Sequence, residues 1–214
     1  MKTVLLTGFE PFGDNAVNPS ELVAARLDGR LIRGHRVAGA VLACEFGQAI
    51  RQLKQRIEQH QPALVVCLGL AQGRGDITPE RVALNLDDAR IPDNAGRQPT
   101  GRPVVRGGPV GYWSTLPVKA IAAALRARGF RASVSQTAGT FVCNHVFYGL
   151  MHTLARRRGG ARGGFIHLPP VSVGGGANPG WTLDRTTEAV ALAIETSLRV
   201  RRDLKAVGGT DDPQ

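Results

Sequence analysis

Short apolar runs alternate with amphipathic stretches along most of the chain. Runs of almost wholly apolar residues are typical of strands buried on both faces, whereas apolar residues at helical spacing predict helices. Strands are therefore predicted at TVLLTGF (3–9), GHRVAGAVLAC (34–44), ALVVCLGL (63–70), RVALNLDDARI (81–91), RASVSQTAG (131–139) and GGFIHL (163–168). Helices are predicted at NPSELVAARL (18–27), EFGQAIRQLKQRIEQHQ (45–61), VKAIAAALRARG (118–129), VCNHVFYGLMHTLARRR (142–158) and LDRTTEAVALAIETSLRVRRDL (183–204).

The alternation of strands with helices indicates βαβ units. The expected fold class is therefore α/β, with a mostly parallel sheet covered by helices on both faces. One domain is expected over residues 1–205, followed by a disordered tail at 206–214. A stretch rich in Gly and Pro at 92–111 predicts a long loop, and long loops in compact domains often carry function.

Composition adds that the chain resembles a globular protein outside the membrane. Hydrophobic residues make up 43% of the sequence, and no apolar run reaches the roughly 18 residues of a membrane helix. The N-terminal apolar run ends in Gly, Glu and Pro without a small-residue cleavage site, so it predicts a strand rather than a signal peptide. Three widely spaced cysteines favour free thiols in a reducing compartment, and their spacing matches no zinc site. A cytoplasmic protein is expected.

The formal net charge of +10 raises nucleic-acid binding as an alternative function. The arginine excess is concentrated in ARRRGGARGG (155–164) and in the last predicted helix. Aromatic residues make up 5% of the chain, and none is interleaved with these arginines as a stacking platform requires. A solvated basic face is the favoured interpretation, so neither a nucleic-acid nor a membrane partner is expected.

The segment GFEPFGDN (8–15) places two glycines at P-loop spacing, but Asp-Asn stands where Lys and Ser/Thr are required. A carboxylate there would repel phosphate. A small-molecule phosphorylase or transferase on a similar sheet stays an alternative, although no glycine-rich segment supplies its phosphate site. Phe9 and Phe12 follow a strand at the edge where open α/β sheets bind ligands, so they predict either a binding wall or core packing.

Cys143 stands where a glycine turn gives way to a predicted helix. Helix N-terminal amides stabilise a thiolate, so this position predicts a lowered pKa and a nucleophile, as readily as a buried inert cysteine. His145 and His152 lie about 200° and about 180° round the helix from Cys143, and both face away. His167 ends the next strand. Because consecutive parallel strands are commonly neighbours, His167 is predicted to be the base.

A histidine base needs an orienting group, and the pattern does not decide which residue supplies it. Glu80 in ITPERVALN is a candidate. Its Thr-Pro-Glu context is also typical of a helix start, where a glutamate only complements the helix dipole. Arg90 in DDARIPDN is a cation that could stabilise an oxyanion, but it is equally typical of a surface arginine.

Five segments together resemble the pyroglutamyl peptidase I family of cysteine peptidases: GFEPFG with NPS downstream, ITPERVALN, DARIPDN, TAGTFVCNHVFYGL and GGFIHLP. They lie in the family's order between residues 4 and 168, which makes the match far more specific than any one motif. The resemblance implies an open twisted α/β sandwich, and removal of N-terminal pyroglutamyl residues from peptides through a thioester, without metal or cofactor. It implies Cys143 as nucleophile, His167 as general base and acid, and Glu80 as orienting carboxylate. Arg90 is expected to help stabilise the oxyanion.

The resemblance also implies a pocket for the compact, neutral lactam ring of pyroglutamate. Aromatic and apolar walls suit the ring, while backbone groups and an asparagine can pair its N–H and C=O. A pocket built to bond those groups discriminates against proline, which lacks the lactam oxygen. The family's pocket corresponds to Phe9, Phe12, Asn18, Ile91, Phe141 and Val142.

Some positions depart from the family's pattern. Leu70 and Gln72 stand where many relatives have Gln and Gly, and the larger Gln72 predicts a reshaped loop beside Glu80. The segment 169–181 also differs, so the resemblance does not predict which residues form the far rim of the pocket. Relatives often form tetramers, so a homo-oligomer is expected.

Overall fold

The computed structural model describes residues 1–13, 15–157, 159–172 and 180–207. The strands within these ranges are β1 (Lys2–Phe9), β2 (Leu31–Ile32), β3 (His35–Leu42), β4 (Leu64–Leu70), β5 (Thr78–Pro79), β6 (Val82–Leu84), β7 (Gly111–Trp113) and β8 (Arg162–Leu168). The helices are α1 (Pro19–Leu27), α2 (Gln48–His60), α3 (Val118–Ala127), α4 (Val142–Arg156) and α5 (Leu183–Arg199). None of these helices combines the length and apolarity that crossing a bilayer requires. Most of the tail predicted at 206–214, and most of the rim at 169–181, lie outside the described residues.

A six-stranded sheet forms the centre of the molecule, in the order β2-β3-β1-β4-β8-β5. The four middle strands are parallel, while β2 and β5 pair antiparallel at the two edges. Strands β6 and β7 form a separate antiparallel pair. The predicted α/β class with a mostly parallel sheet is therefore confirmed. Every residue of β4 is buried, as expected of a parallel strand covered on both faces.

Helices cover both faces of this sheet and form two apolar cores. One core joins α1, α3 and α5 to the sheet through residues such as Leu27, Ile121 and Ile194. The other joins α2 and α4 to the opposite face through residues such as Leu53 and Phe147. Successive residues of β4 point alternately into the two cores, as the two-residue period of a strand requires.

Local signals set the helix ends near the strand edge. Helix α1 begins after Asn18, whose side-chain oxygen accepts a hydrogen bond from the Ser20 N–H, and Pro19 fits the first turn. Helix α2 ends where Gln61 adopts a left-handed backbone conformation just before a proline. Both ends lie within a residue or two of the predicted positions.

The strand predicted at 131–139 is wrong. In this segment, isolated bridges join Ala132 to Ile77 and Ser135 to Glu80 instead of a continuous ladder. The physical reason is the partner: the segment runs beside the short edge strand β5, which offers too few backbone groups for extended pairing.

Three further boundaries differ from the prediction. The Thr-Pro-Glu context forms strand β5 rather than a helix start, because its backbone pairs with β8. The helix predicted from residue 45 begins at Gln48, after Gly47 takes a positive φ of 76° that favours glycine. The strand predicted at 81–91 is limited to β6, because its partner β7 is three residues long. The predicted long loop lies between β6 and β7.

Candidate active site

The C-terminal ends of β4 and β8 bring Cys143 and His167 to one edge of the sheet. Gly69 of β4 is paired with His167 of β8. Cys143 is the second residue of α4, and its sulfur lies over Gly69, since a Cβ added to that glycine would be 2.8 Å from Sγ. The Phe165 ring lies beside His167, with ring centroids 4.9 Å apart. Cys143 and His167 therefore lie near each other, as predicted. Both are next to Gly69 of β4, whereas the prediction relied on a strand at 131–139.

Glu80 orients the His167 ring. The Nδ1 atom of His167 lies 2.7 Å from Glu80 Oε1, and the two side chains are 6% and 0% exposed. Since the carboxylate accepts, Nδ1 carries the proton, which leaves Nε2 free to act as a base. Strand β5 fixes this geometry, because the Glu80 N–H donates to the Phe165 carbonyl at 2.9 Å. A short edge strand thus places the carboxylate behind the imidazole.

Arg74 is a site residue that the sequence reasoning missed. Its Nη1 donates to Glu80 Oε1 at 2.5 Å and to Thr78 Oγ1 at 2.7 Å, and its Nη2 donates to the Thr137 carbonyl at 2.8 Å. A buried carboxylate requires a cationic or hydrogen-bonding partner. That rule could have led to Arg74 only if the burial of Glu80 were known, and burial of one glutamate is not visible in a local pattern.

The direction of the Cys143 pKa differs from the prediction. Burial raises the pKa of this thiol to about 12; the Glu80 carboxylate raises it further, while the Arg74 guanidinium lowers it. The residue keeps partial exposure, but its sulfur is enclosed where it lies against Gly69. A position at a helix N-terminus therefore does not outweigh desolvation here. A raised pKa favours the neutral thiol, so attack requires a base to take its proton.

Aromatic side chains form a wall beside the thiol. Phe12 and Phe141 are partly buried, with ring centroids 5.9 Å apart. Phe46, which precedes α2 rather than lying within it as predicted, packs edge-on against Phe141 at 5.5 Å. Phe9 is buried and packs against Phe165 at 6.4 Å, so it belongs to the core beneath the wall. Phe12 and Phe141 are therefore the rings of this wall that keep partial exposure.

The other predicted pocket residues occupy different environments. Asn18 is fully buried, and its carboxamide accepts from the Ser20 N–H and hydroxyl and donates to the Glu10 carbonyl. Val142 is fully buried at the start of α4, and Ile91 is partly buried. Two of these three side chains, Asn18 and Val142, are therefore closed to solvent. Their direct contact with a substrate stays a prediction.

Arg90, the predicted oxyanion residue, is exposed. Its backbone carbonyl accepts from Gln98 Nε2 at 3.1 Å, which ties the loop but leaves the guanidinium to solvent. The structure therefore does not bring Arg90 into the Cys143–His167–Glu80 cluster. Its role at the oxyanion stays a prediction.

A second buried histidine supports the aromatic wall. The Nδ1–H of His145 donates to the Asp87 carboxylate at 2.9 Å, and its Nε2 accepts from the Gly47 N–H at 2.8 Å. Phe46 packs against the His145 ring with centroids 5.2 Å apart. These partners agree with the prediction that His145 faces away from Cys143. The His145–Asp87 pair holds the Phe46–Gly47 turn against α4 and so keeps the aromatic wall in place.

Within the described ranges, no group of three or more His, Cys, Asp or Glu side chains converges to hold a metal ion. Cys44 and Cys67 are buried in the core shared by α2 and α4. Burial raises the pKa of Cys67 to about 12 and raises that of Cys44 above its usual range as well. Both therefore have the environment of inert core thiols.

The sequence matches the family model described as pyroglutamyl peptidase over residues 2–200. It is 54% identical over 213 residues to a pyrrolidone-carboxylate peptidase of Chromobacterium violaceum, covering 98% of this chain and 99% of the relative. A pyrrolidone-carboxylate peptidase of Klebsiella pneumoniae is 54% identical over 212 residues, with the same coverage of 98% and 99%.

Solved structures show the same similarity. The crystal structure of pyroglutamyl peptidase I from Bacillus amyloliquefaciens superposes with a TM-score of 0.90 at 43% identity, covering 95% of this chain and 100% of that one. The pyrrolidone carboxyl peptidase of Thermococcus litoralis gives a TM-score of 0.91 at 38% identity, with 97% and 100% covered. The similarity therefore extends over nearly the whole chain, including every element that carries the site.

Proposed function

The chain belongs to the pyroglutamyl peptidase family, and we propose that it removes N-terminal pyroglutamyl residues from peptides with Cys143, His167 and Glu80. The observation that carries the assignment of residues is the buried Glu80–His167 hydrogen bond at the sheet edge where the Cys143 sulfur lies. A thiol, a base with a fixed tautomer and an orienting carboxylate are the parts that covalent acyl transfer requires.

The first half of the reaction forms a thioester. His167 Nε2 takes the proton of the Cys143 thiol as Sγ bonds to the carbonyl carbon of the pyroglutamyl residue. The tetrahedral intermediate then collapses, the C–N bond breaks, and the imidazolium gives its proton to the departing amine. Because burial raises the pKa of the thiol, we expect the proton transfer to accompany the attack.

The second half regenerates the thiol. Water attacks the thioester carbonyl while His167 takes one of its protons, the C–S bond breaks, and the sulfur recovers a proton from the imidazolium. Glu80 accepts from Nδ1–H throughout, so it holds the ring and stabilises the imidazolium in both halves. Each step balances with residues of this chain and one water molecule, and neither a metal nor a cofactor is needed.

The oxyanion that forms twice in this sequence needs donors. The first turn of α4 supplies backbone N–H groups beside Cys143. We assign Arg90 a supporting electrostatic part, since it lies on the loop that the Thr140–Asp88 hydrogen bonds tie to the start of α4. The exposed guanidinium has to turn toward the substrate to act there.

Phe12 and Phe141 form the wall that accepts the pyroglutamyl ring, and Phe9, Asn18, Ile91 and Val142 complete the pocket. The ring is neutral, flat and compact, so it can lie against aromatic faces without burying a charge. Proline has the same size but lacks the lactam oxygen, and the polar groups that pair this oxygen would be left unsatisfied.

The proposal is tested by release of a fluorescent amine from its pyroglutamyl amide and from its prolyl amide, in the presence of reductant. We expect selective cleavage of the pyroglutamyl amide and its loss in Cys143→Ser. Cys44→Ala is the matched control, because it removes a buried thiol from the same core and should leave cleavage intact. Equal cleavage of the prolyl amide would refute the pocket, and activity that survives in Cys143→Ser would refute the nucleophile.

We further propose a homotetramer in the cytoplasm. The support within this chain is an apolar surface at the β6–β7 pair, where Val110 and Trp113 are 86% and 69% exposed. Light scattering coupled to gel filtration gives the mass directly. Trp113→Glu should lower it, whereas a monomeric wild-type chain would contradict the proposal.

A further inference from the structure

Glu80 combines a charge with complete burial. Its side chain is 0% exposed, and Oε1 is shared between His167 Nδ1 and Arg74 Nη1. In the described part of the chain, Oε2 is buried without a hydrogen-bond partner. A carboxylate in such a place is stable only if a cation compensates its charge. Arg74 therefore makes the ionic contact on which the carboxylate depends.

The guanidinium also ties together the segments that carry the site. Its Nη1 bonds Thr78, which is paired with His167 across the β5–β8 ladder. Its Nη2 bonds the carbonyl of Thr137, which lies in the segment leading to Cys143. A planar fork with several donors can satisfy partners in different directions at once, which an ammonium cannot do in the same geometry. At 30% side-chain exposure, Arg74 forms the outer cover of this cluster.

We propose that Arg74 is a positioning residue of the reaction, acting through Glu80: it balances the buried carboxylate and fixes the carboxylate's orientation toward His167. This inference rests on the function proposed above for Cys143, His167 and Glu80. Without Arg74, the buried carboxylate is free to turn toward other donors, and the imidazole loses the partner that fixes its tautomer. The substrate pocket, which lies on the thiol side of His167, is left in place.

The test compares Arg74→Met with Arg74→Lys. Methionine keeps most of the apolar stem and removes the charge and the fork, whereas lysine restores the charge alone. We expect Arg74→Met to lower kcat roughly 10- to 100-fold, the loss typical when a partner that orients a functional ligand is removed. KM should change less than about twofold, because ground-state binding is untouched. Lysine should recover part of kcat.

A double-mutant cycle with Glu80→Gln separates this role from a structural one. If Arg74 acts through Glu80, Arg74→Met should cost less than about twofold in kcat once Glu80→Gln is present. Additive losses would overturn the proposal. Arg131→Met is the matched control: Arg131 bonds the Gly75 carbonyl on the same loop, faces Asp76, and should leave kcat unchanged.

Alkylation of Cys143 by iodoacetamide, followed by mass spectrometry, gives a readout that needs no peptide substrate. We expect slower alkylation in Arg74→Met than in wild type, and a rate near wild type in Arg131→Met. A wild-type alkylation rate in a folded Arg74→Met protein, verified by its thermal unfolding, would contradict the inference. If the wild type cleaves no pyroglutamyl amide yet alkylation follows the expected order, the proposed substrate fails and the role of Arg74 stands.

Discussion

Gly69 has no side chain, and the Cys143 sulfur occupies the space that a side chain would take. A Cβ at Gly69 would lie 2.8 Å from Sγ and 2.7 Å from the Phe165 ring, both closer than real Cβ contacts. The same strand position faces His167 across the β4–β8 ladder. At the scale of single residues, the site therefore depends on a missing methyl group as well as on the reactive side chains.

Gly69→Ala should consequently lower kcat/KM at least about tenfold and destabilise the fold by about 1–3 kcal/mol, the usual cost of overpacking. Gly73→Ala is the control, because a Cβ there meets nothing within 4 Å and the backbone is not in the left-handed region. Steady-state kinetics and urea unfolding of both variants make the comparison. Wild-type kinetics in Gly69→Ala would show that the sulfur has room to move.

The raised pKa of Cys143 gives a pH prediction. A thiol whose pKa is raised to about 12 is protonated at neutral pH, so its thiolate fraction grows about tenfold with each pH unit below that value. We expect the rate of iodoacetamide alkylation of the free enzyme to climb steadily from pH 6 to pH 9. A rate that is flat over this range would indicate a preformed thiolate–imidazolium pair instead. Mass spectrometry should place the label on Cys143, since Cys44 and Cys67 are buried.

At the scale of elements, the start of α1 is joined to the pocket. Asn18 caps the helix and bonds the Ser20 hydroxyl, which in turn accepts from the Phe9 N–H at 2.9 Å. Asn18 also donates to the carbonyl of Glu10 at 3.1 Å. One capping side chain thus holds the helix together with the end of β1 and the loop that follows it, which carry Phe9 and Phe12 of the proposed pocket.

Asn18→Ala should therefore weaken both stability and substrate binding. Loss of a cap costs about 1 kcal/mol, and a freed loop should raise KM. Thr182→Ala removes a comparable cap, the Arg185 N–H acceptor at the start of α5, far from the loop. We expect both variants to lose stability in urea unfolding, but KM to rise in Asn18→Ala alone. An equal KM in the two variants would show that the Asn18 cap does not affect substrate binding.

At the scale of the whole molecule, charge and apolar surface are the features that reach beyond the site. The net charge of +10 comes from 27 Lys and Arg against 17 Asp and Glu. Several arginines are engaged in the fold itself: Arg162 donates to the Ser197 and Val200 carbonyls, and Arg97 donates to the Phe46 carbonyl. Part of the basic excess is therefore structural.

A basic molecule without stacking aromatics should bind nucleic acid weakly and non-specifically. We expect any affinity for a 20-base-pair duplex at 50 mM salt to fall steeply by 200 mM, in line with counterion release. Pyroglutamyl amide cleavage should not change when the duplex is added at physiological salt. Submicromolar binding under those conditions, measured by fluorescence anisotropy, would support the nucleic-acid alternative.

The sequence by itself determined the element types and the family. Helices α1 to α5 and strands β1, β3, β4 and β8 follow from periodicity, caps and breakers, because these signals act between residues close in the chain. The resemblance carried by five ordered segments is confirmed by the match over residues 2–200. Cys143 and His167 could be singled out because each stands at the end of a recognisable element.

Tertiary structure decided what depends on contacts between distant segments. The local pattern left open whether Glu80 orients His167. The family resemblance implied that role, and the pairing of β5 with β8 places the carboxylate beside the imidazole. Arg74 and Gly69 gave no local signal. Arg74 belongs to the site because it contacts a buried carboxylate, and Gly69 because the sulfur of a residue 74 positions later in the sequence lies over it. The thiol pKa was predicted in the wrong direction because desolvation depends on everything packed around the sulfur. Local patterns encode elements, whereas burial and charge balance arise only when the elements pack.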